Sequence, residues 1–174
     1  MSLKIYPSVR RDITPQEYIL QPGLKNAVEV AIALRQPLLV TGEPGTGKTR
    51  LADKVAWMLA QQKGTHFLDK PLVFNTKTSS TSRDLFYTYD AMSHYQAANI
   101  KREEITRAPK TADFIELQAF GQAIAMTNPA SVDTSKFKTP IGDKPVSSVV
   151  LIDEIDKAPR DFTNDILHEV DRYE

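Results

Sequence analysis

The stretch Gly42-Glu43-Pro44-Gly45-Thr46-Gly47-Lys48-Thr49 decides the fold. It matches the pattern G-x-x-x-x-G-K-[ST], in which glycines allow backbone N–H groups to approach a polyphosphate. A helix that begins near Gly47 would point the positive end of its dipole at the phosphates. We expect the Lys48 amine to neutralise the β and γ oxygens and the Thr49 hydroxyl to hold Mg²⁺. This stretch, called the phosphate loop below, therefore predicts a site for a nucleoside triphosphate and its metal ion.

The residues around the phosphate loop predict a strand before it and a helix after it. Residues 37–41 form a short apolar run that is typical of a buried strand. Residues 50–62 carry apolar side chains on one helical face, at Leu51, Val55, Met58 and Leu59. Residues 22–34 begin with Pro-Gly and predict another amphipathic helix. The loop thus stands in the strand–loop–helix context that its pattern requires.

A second informative stretch is Ser148-Val149-Val150-Leu151-Ile152-Asp153-Glu154. An apolar, β-branched run that ends in two carboxylates predicts a buried parallel strand, and parallel sheets bind ligands at the carboxyl ends of their strands. We expect Asp153 to hold the Mg²⁺ shell through water and Glu154 to orient and partly deprotonate the attacking water. The alternative is a strand that simply ends in acidic residues at a turn.

Other segments give coarser predictions. Residues 72–74 predict a second strand, and residues 75–82 a hydroxyl-rich loop whose end caps a helix starting at Arg83. Residues 113–126 predict a helix, residues 127–146 a loop or short hairpin, and Ala158-Pro159 the start of a last helix.

Composition excludes several classes of protein. The 174 residues contain 22 Lys+Arg and 22 Asp+Glu, so a net charge near zero gives no argument for nucleic acid or membrane surfaces. The chain has no cysteine, which excludes disulfides and thiolate metal sites. No apolar run approaches the length of a membrane span, and the N-terminus has no apolar signal core. We expect a cytoplasmic protein.

The two motifs together resemble those of the AAA+ ATPases, and the chain looks most like their MoxR-like branch. The resemblance rests on the phosphate loop, on residues 149–159 and on the helix that follows, and it covers most of residues 20–171. It implies an α/β fold of P-loop NTPase type, three layers (α/β/α) with a mainly parallel sheet. It divides the chain into a lead-in (1–22) and a nucleotide-binding domain (23–174), in which 87–147 resembles an insertion that contacts clients.

The resemblance also assigns roles to single residues. Lys48 and Thr49 become ligands of the triphosphate and Mg²⁺, Asp153 the acid beside the metal, and Glu154 the catalytic acid. Asn75 occupies the position of a polar residue that holds the catalytic glutamate inactive until a partner binds; a plain turn residue is the alternative. The expected nucleotide-binding set is Gly42, Glu43, Pro44, Gly45, Thr46, Gly47, Lys48, Thr49, Arg50 and Ile19.

Two of these residues leave alternatives open. Ile19 belongs to Tyr18-Ile19-Leu20, which sits where the family packs the adenine, and a hydrophobic contact with a helix is the other reading. Arg50 and Arg160 are also candidates for contacts between subunits.

The resemblance implies a homo-oligomeric ring, typically a hexamer, that uses ATP and Mg²⁺ to remodel a client protein. A nucleotide-dependent switch with negligible turnover is the alternative. The family continues with a sensor strand, an arginine finger and a helical lid, so we expect this chain to be the N-terminal part of such a domain, with little activity alone. In the family the sensor strand separates the strand at 38–41 from the strand at 149–153. Here those two strands would pair directly, leave a gap or borrow a strand.

Overall fold

The computed structural model describes residues 14–100 and 110–171. In chain order its helices and strands are α1 (Pro22–Leu34), α2 (Lys48–Ala60), β1 (Leu72–Asn75), α3 (Ser82–Phe86), β2 (Tyr87–Tyr89), α4 (Ala91–Ile100), β3 (Ile115–Leu117), α5 (Ala119–Thr127), β4 (Val150–Asp153) and α6 (Arg160–Asp171). Short 3₁₀ turns connect several of them. None of the helices in this part of the chain is long and apolar enough to cross a membrane.

Strands β1 and β4 form a parallel pair, with Leu72 opposite Val150 and Asn75 opposite Asp153. The predicted strands at 72–74 and 148–154 are therefore confirmed, and they are direct neighbours although more than seventy residues separate them. Because the strands are parallel, both carboxyl ends lie at the same edge of the sheet, and this edge carries the candidate site.

One face of this pair is covered by helices α3, α5 and α6. The buried cluster consists of Phe74, Leu85, Ala119, Phe162 and Ile166. Phe162, 2% exposed, stacks on Phe74 with ring centroids 6.0 Å apart. Phe162 and Ile166 of the helix predicted after Pro159 thus pack on the sheet, and they anchor the chain immediately after β4.

A second pair of strands, β2 and β3, is antiparallel and joins α3 to α5. The Gln118 N–H donates to the Phe86 carbonyl at 2.8 Å, which brings the end of α3 against the start of α5. Gly121 of α5 lies so close to this carbonyl that an added Cβ would be 2.0 Å from the oxygen. The predicted helix at 113–126 is therefore wrong in its first part: residues 111–114 form a 3₁₀ turn and residues 115–117 a strand, because pairing with β2 holds them extended.

The predicted strand before the phosphate loop is not formed. Residues 38–41 have no regular secondary structure, and Leu39 is 72% exposed. A strand exists only where its backbone groups find partners, and β1 and β4 pair with each other rather than with this segment. None of the three expected arrangements of the two motif strands applies, because the first of the two strands is not formed and β4 pairs with β1 instead.

Other predicted elements agree with the structure or lie partly outside it. Helix α1 spans the predicted residues, and α2 begins at Lys48, directly after Gly47. Thr81 precedes α3 and forms a capping box with Asp84. Residues 127–146 contain 3₁₀ turns and no strand. Most of the predicted lead-in lies outside the described residues.

Candidate functional site

The phosphate loop uses glycine where the backbone enters regions that other residues avoid. Gly45 and Gly47 have φ values of 80° and 86°, and Gly42 has φ 149°. Gly47 is the N-cap of α2, a helix of 13 residues. Its left-handed conformation costs glycine little and turns the chain from the loop into the helix. The exposed loop is thereby placed at the positive end of the α2 dipole, where an anion is favoured.

The Lys48 amine is held inside the loop by backbone oxygens. Its Nζ donates to the Gly42 carbonyl at 2.7 Å and to the Glu43 carbonyl at 2.9 Å, and the Thr46 hydroxyl donates to the same Glu43 oxygen at 2.9 Å. A lysine ammonium has three protons to donate, so a third remains for an anion. The loop therefore presents a fixed cation next to the N-terminus of α2.

The two sequence motifs meet at a single hydrogen bond. The Thr49 hydroxyl donates to Asp153 Oδ2 at 2.9 Å, across a separation of 104 residues. The other carboxylate oxygen, Oδ1, accepts the N–H of Glu154 at 3.0 Å. A hydroxyl and a carboxylate are the hard oxygen ligands that Mg²⁺ prefers. This donor set fits a magnesium ion beside a triphosphate, although no cluster of three or more metal-ligating His, Cys, Asp or Glu side chains occurs in the described residues.

Asn75 lies beside this contact. It is the last residue of β1 and directly opposite Asp153, and residues in register on a parallel pair have side chains on the same face. The next residue, Thr76, donates its N–H to the Asp153 carbonyl at 3.1 Å. The structure thus brings Asn75 to the acidic end of β4, and it shows no hydrogen bond of the Asn75 side chain among the described residues.

Glu154 follows β4 in an unusual conformation. Its φ is 57° and its ψ 39°, a left-handed backbone that is uncommon for residues other than glycine. Its Oε2 lies 2.7 Å from Lys157 Nζ, and its carbonyl accepts the Lys157 N–H at 2.9 Å. The hydrogen bond to Glu154 raises the pKa of Lys157, and the charges of Glu154, Asp156 and Asp153 add to this effect. Lys157 was not among the predicted site residues; the only signal was its position three residues after Glu154.

The segment before α1 contacts the phosphate loop through Tyr18. A Cβ added to Gly47 would lie 3.1 Å from the Tyr18 ring, and Lys54 of α2 donates to the Gln16 carbonyl at 3.3 Å. Ile19 is 81% exposed and is not the residue that packs on the loop. Tyr18 is therefore the residue through which this segment borders the phosphate loop. The predicted contact of Ile19 with the nucleotide stays a prediction.

Arg50 forms an ion pair within its own helix, α2. Its Nη1 lies 3.5 Å from Asp53 Oδ2, an (i, i+3) ion pair on the helix surface. The structure therefore shows this residue in a local contact, and its predicted part in nucleotide binding or in contacts between subunits stays a prediction.

Comparison with known proteins agrees with this geometry. The family model described as AAA domain (dynein-related subfamily) matches residues 37–172, a range that contains both motifs. No curated protein and no solved structure matched the chain. AAA domains bind nucleotide, typically with Mg²⁺, are associated with ATPase activity and commonly form oligomeric rings. The α/β architecture and the parallel β1–β4 pair are those of a P-loop NTPase. The chain therefore belongs to the AAA domain family, in its dynein-related subfamily.

Proposed function

We propose that this chain binds ATP·Mg²⁺ at the phosphate loop and that its ring-shaped assembly hydrolyses the ATP. The observation that supports this most directly is the Thr49–Asp153 hydrogen bond. It joins the loop that recognises phosphate to the strand that ends in acids, so that Thr49, next to Lys48 in the chain, and Asp153 converge on one volume. Such convergence is what phosphoryl transfer requires, because its catalysis consists mainly of positioning and charge stabilisation.

The residues around this volume have different roles, which follow from the chemistry of their side chains. The N–H groups of the loop and the Lys48 amine bind the β- and γ-phosphates. Thr49 and Asp153 would hold Mg²⁺, which supplies charge neutralisation of the phosphate oxygens. Glu154, one residue beyond Asp153, is the group that orients the attacking water and accepts its proton. Asn75, opposite Asp153 in the register of β1 and β4, is our candidate for a contact with the Glu154 side chain when that side chain turns toward β1.

We further propose a MoxR-like role, in which ATP turnover in a cytoplasmic ring, typically a hexamer, remodels or assembles a client protein. Residues 87–147 support this because their first part adds a strand pair and α4 between α3 and α5. Within them Tyr87, Tyr89, Met92 and Tyr95 are exposed large side chains, of the types that are enriched in protein interfaces. This insertion is our candidate for the client contact.

The alternative function is a nucleotide-dependent switch with negligible turnover. The observation that favours it is the Glu154–Lys157 ion pair, since the carboxylate that would act on water is already occupied. A switch needs only the binding half of the site, formed by the loop, Lys48 and Thr49.

Titration of the chain with a fluorescent ATP analogue, in the presence and absence of Mg²⁺, tests the proposal. Lys48→Ala should abolish binding, while Glu154→Gln should retain binding and stop phosphate release. Lys63→Ala is the matched control, because Lys63 is an exposed lysine beyond the far end of α2. Unchanged binding in the Lys48 variant would refute the site. Binding without turnover by the unaltered chain and its ring would select the switch, and turnover by the Glu154 variant would remove Glu154 from catalysis.

A further inference from the structure

The side chain of Glu154 forms an ion pair with Lys157. Among the described residues its carboxylate contacts the Lys157 ammonium at 2.7 Å, and the same lysine returns a backbone hydrogen bond to Glu154 at 2.9 Å. These two contacts close the 3₁₀ turn Ile155–Lys157 onto the end of β4. We call the Lys157–Glu154 ion pair the latch.

The latch competes with the catalytic role proposed for Glu154, which is to orient the attacking water. A carboxylate that orients water must come within about 2.6–3.2 Å of that water. A lysine at hydrogen-bond distance occupies one of its oxygens. The family resemblance assigns the role of an inhibitory partner to Asn75, whereas the residue that contacts the Glu154 carboxylate is Lys157, in Glu154's own turn.

A bound triphosphate would alter the balance of charges around Lys157. The charges of Asp153 and Asp156 contribute to its environment in addition to that of Glu154. Asp153 is also the partner of Thr49, so the latch lies next to the proposed metal and phosphate position. A divalent ion held by Asp153 would neutralise part of the negative charge around the lysine, and the phosphates would offer the lysine another anionic partner.

We propose that Lys157 is a positioning residue that holds Glu154 and releases it when Mg²⁺-triphosphate binds. The inference rests on the proposed function. Both partners are about half exposed, at 51% and 52%, so the ion pair adds little to overall stability. Its consequence is local: nucleotide binding opens the latch, and the free carboxylate becomes available for water.

A double-mutant cycle on nucleotide affinity tests the latch without requiring turnover. Dissociation constants for a fluorescent ATP analogue with Mg²⁺ are measured for the unaltered chain, Lys157→Ala, Glu154→Gln and the double variant. Each single change removes the free-energy cost of opening the latch before nucleotide binds. The double variant removes this same cost once rather than twice, so its gain in affinity is smaller than the two single gains combined. We expect the double variant to bind about two- to fivefold less tightly than the product of the single effects predicts. Lys157→Arg should preserve this coupling, and high salt should reduce it.

Lys136 and Asp133 provide the matched control. They form an ion pair with the same (i, i+3) spacing on another 3₁₀ turn, with Lys136 Nζ 3.8 Å from Asp133 Oδ2. Lys136→Ala, Asp133→Asn and their combination should change affinity additively. Unfolding midpoints in urea should be alike for all variants, which distinguishes the latch from a structural contact.

The possible results distinguish a failure of the proposed function from a failure of the latch alone. Absence of nucleotide binding by the unaltered chain overturns the proposed function and the latch with it. Binding that is sensitive to Lys48→Ala, together with additive effects at Lys157 and Glu154, overturns the latch alone. Coupling that is present in nucleotide affinity and equally large in the free energy of unfolding also overturns it, because the contact would then be structural.

Discussion

Gly121 of α5 provides the sharpest test of the packing behind the site. An alanine Cβ at this buried position would lie 2.0 Å from the Phe86 carbonyl oxygen and 3.0 Å from its carbon. Both atoms belong to the backbone, so no side-chain rotation can relieve the overlap. The same oxygen accepts the Gln118 N–H at 2.8 Å, which means that moving it away breaks a hydrogen bond. Gly121→Ala must therefore separate α5 from the end of α3.

The expected cost follows from three opposing contributions. Alanine gains about 1 kcal/mol over glycine from helix propensity. Overpacking costs about 1–3 kcal/mol, and the loss of the buried hydrogen bond costs about 1–3 kcal/mol more. We expect a net destabilisation of about 3 kcal/mol, a large share of the stability of a domain of this size.

Urea unfolding followed by circular dichroism measures this change, with Gly23→Ala as the control. Gly23 is also helical, in the first turn of α1, and no atom lies within 4 Å of its added Cβ. The control should be neutral or stabilising by up to about 1 kcal/mol. If Gly121→Ala matches the control, then α3 and α5 do not meet as described, and the β2–β3 pair that joins them is in doubt.

Two further predictions concern the backbone of the site. Gly47→Ala forces alanine to φ 86° and brings its Cβ to 3.1 Å from the Tyr18 ring, so we expect at least fivefold weaker nucleotide binding. Adding Tyr18→Ala should recover only part of the lost affinity, because the backbone strain remains. Full recovery would show that the contact with the ring is the sole cause of the loss. Glu154→Gly removes a side chain from a left-handed backbone at φ 57° and should raise the free energy of unfolding by about 0.5–1 kcal/mol while stopping hydrolysis. Its readouts are urea unfolding and phosphate release, and a less stable protein would mean that the latch, rather than the local fold, imposes this conformation.

Elements with strong local signals could be predicted from the sequence. Helices α1 and α2 combine an apolar face with a start signal, Pro22 in one and the glycine of the loop in the other. Strands β1 and β4 are short apolar runs followed by polar residues, and their ends hold Asn75 and Asp153. In each case the pattern depends on residues within one segment, which is the range over which propensity and periodicity act.

Elements that depend on a distant partner could not be predicted in this way. Residues 38–41 have the composition of a strand, yet no strand of the described residues pairs with them. Residues 115–117 were expected to be helical and are extended because Tyr87–Tyr89 pairs with them. Composition does not reveal which segment will supply the hydrogen-bond partners, so tertiary context overrides local preference at both places.

By itself the sequence determined which chemical groups are available: glycines for the loop, Lys48 and Thr49 at a helix start, and two acids after a buried strand. This follows because phosphate and metal chemistry depends on residue types at short, fixed spacings. Only the tertiary structure decided which groups meet. The Thr49–Asp153 hydrogen bond and the contact of Tyr18 with Gly47 arise from chain packing between separate segments. The Glu154–Lys157 latch depends on a left-handed turn that residue types alone do not specify, because its geometry is set where β4 leaves the sheet.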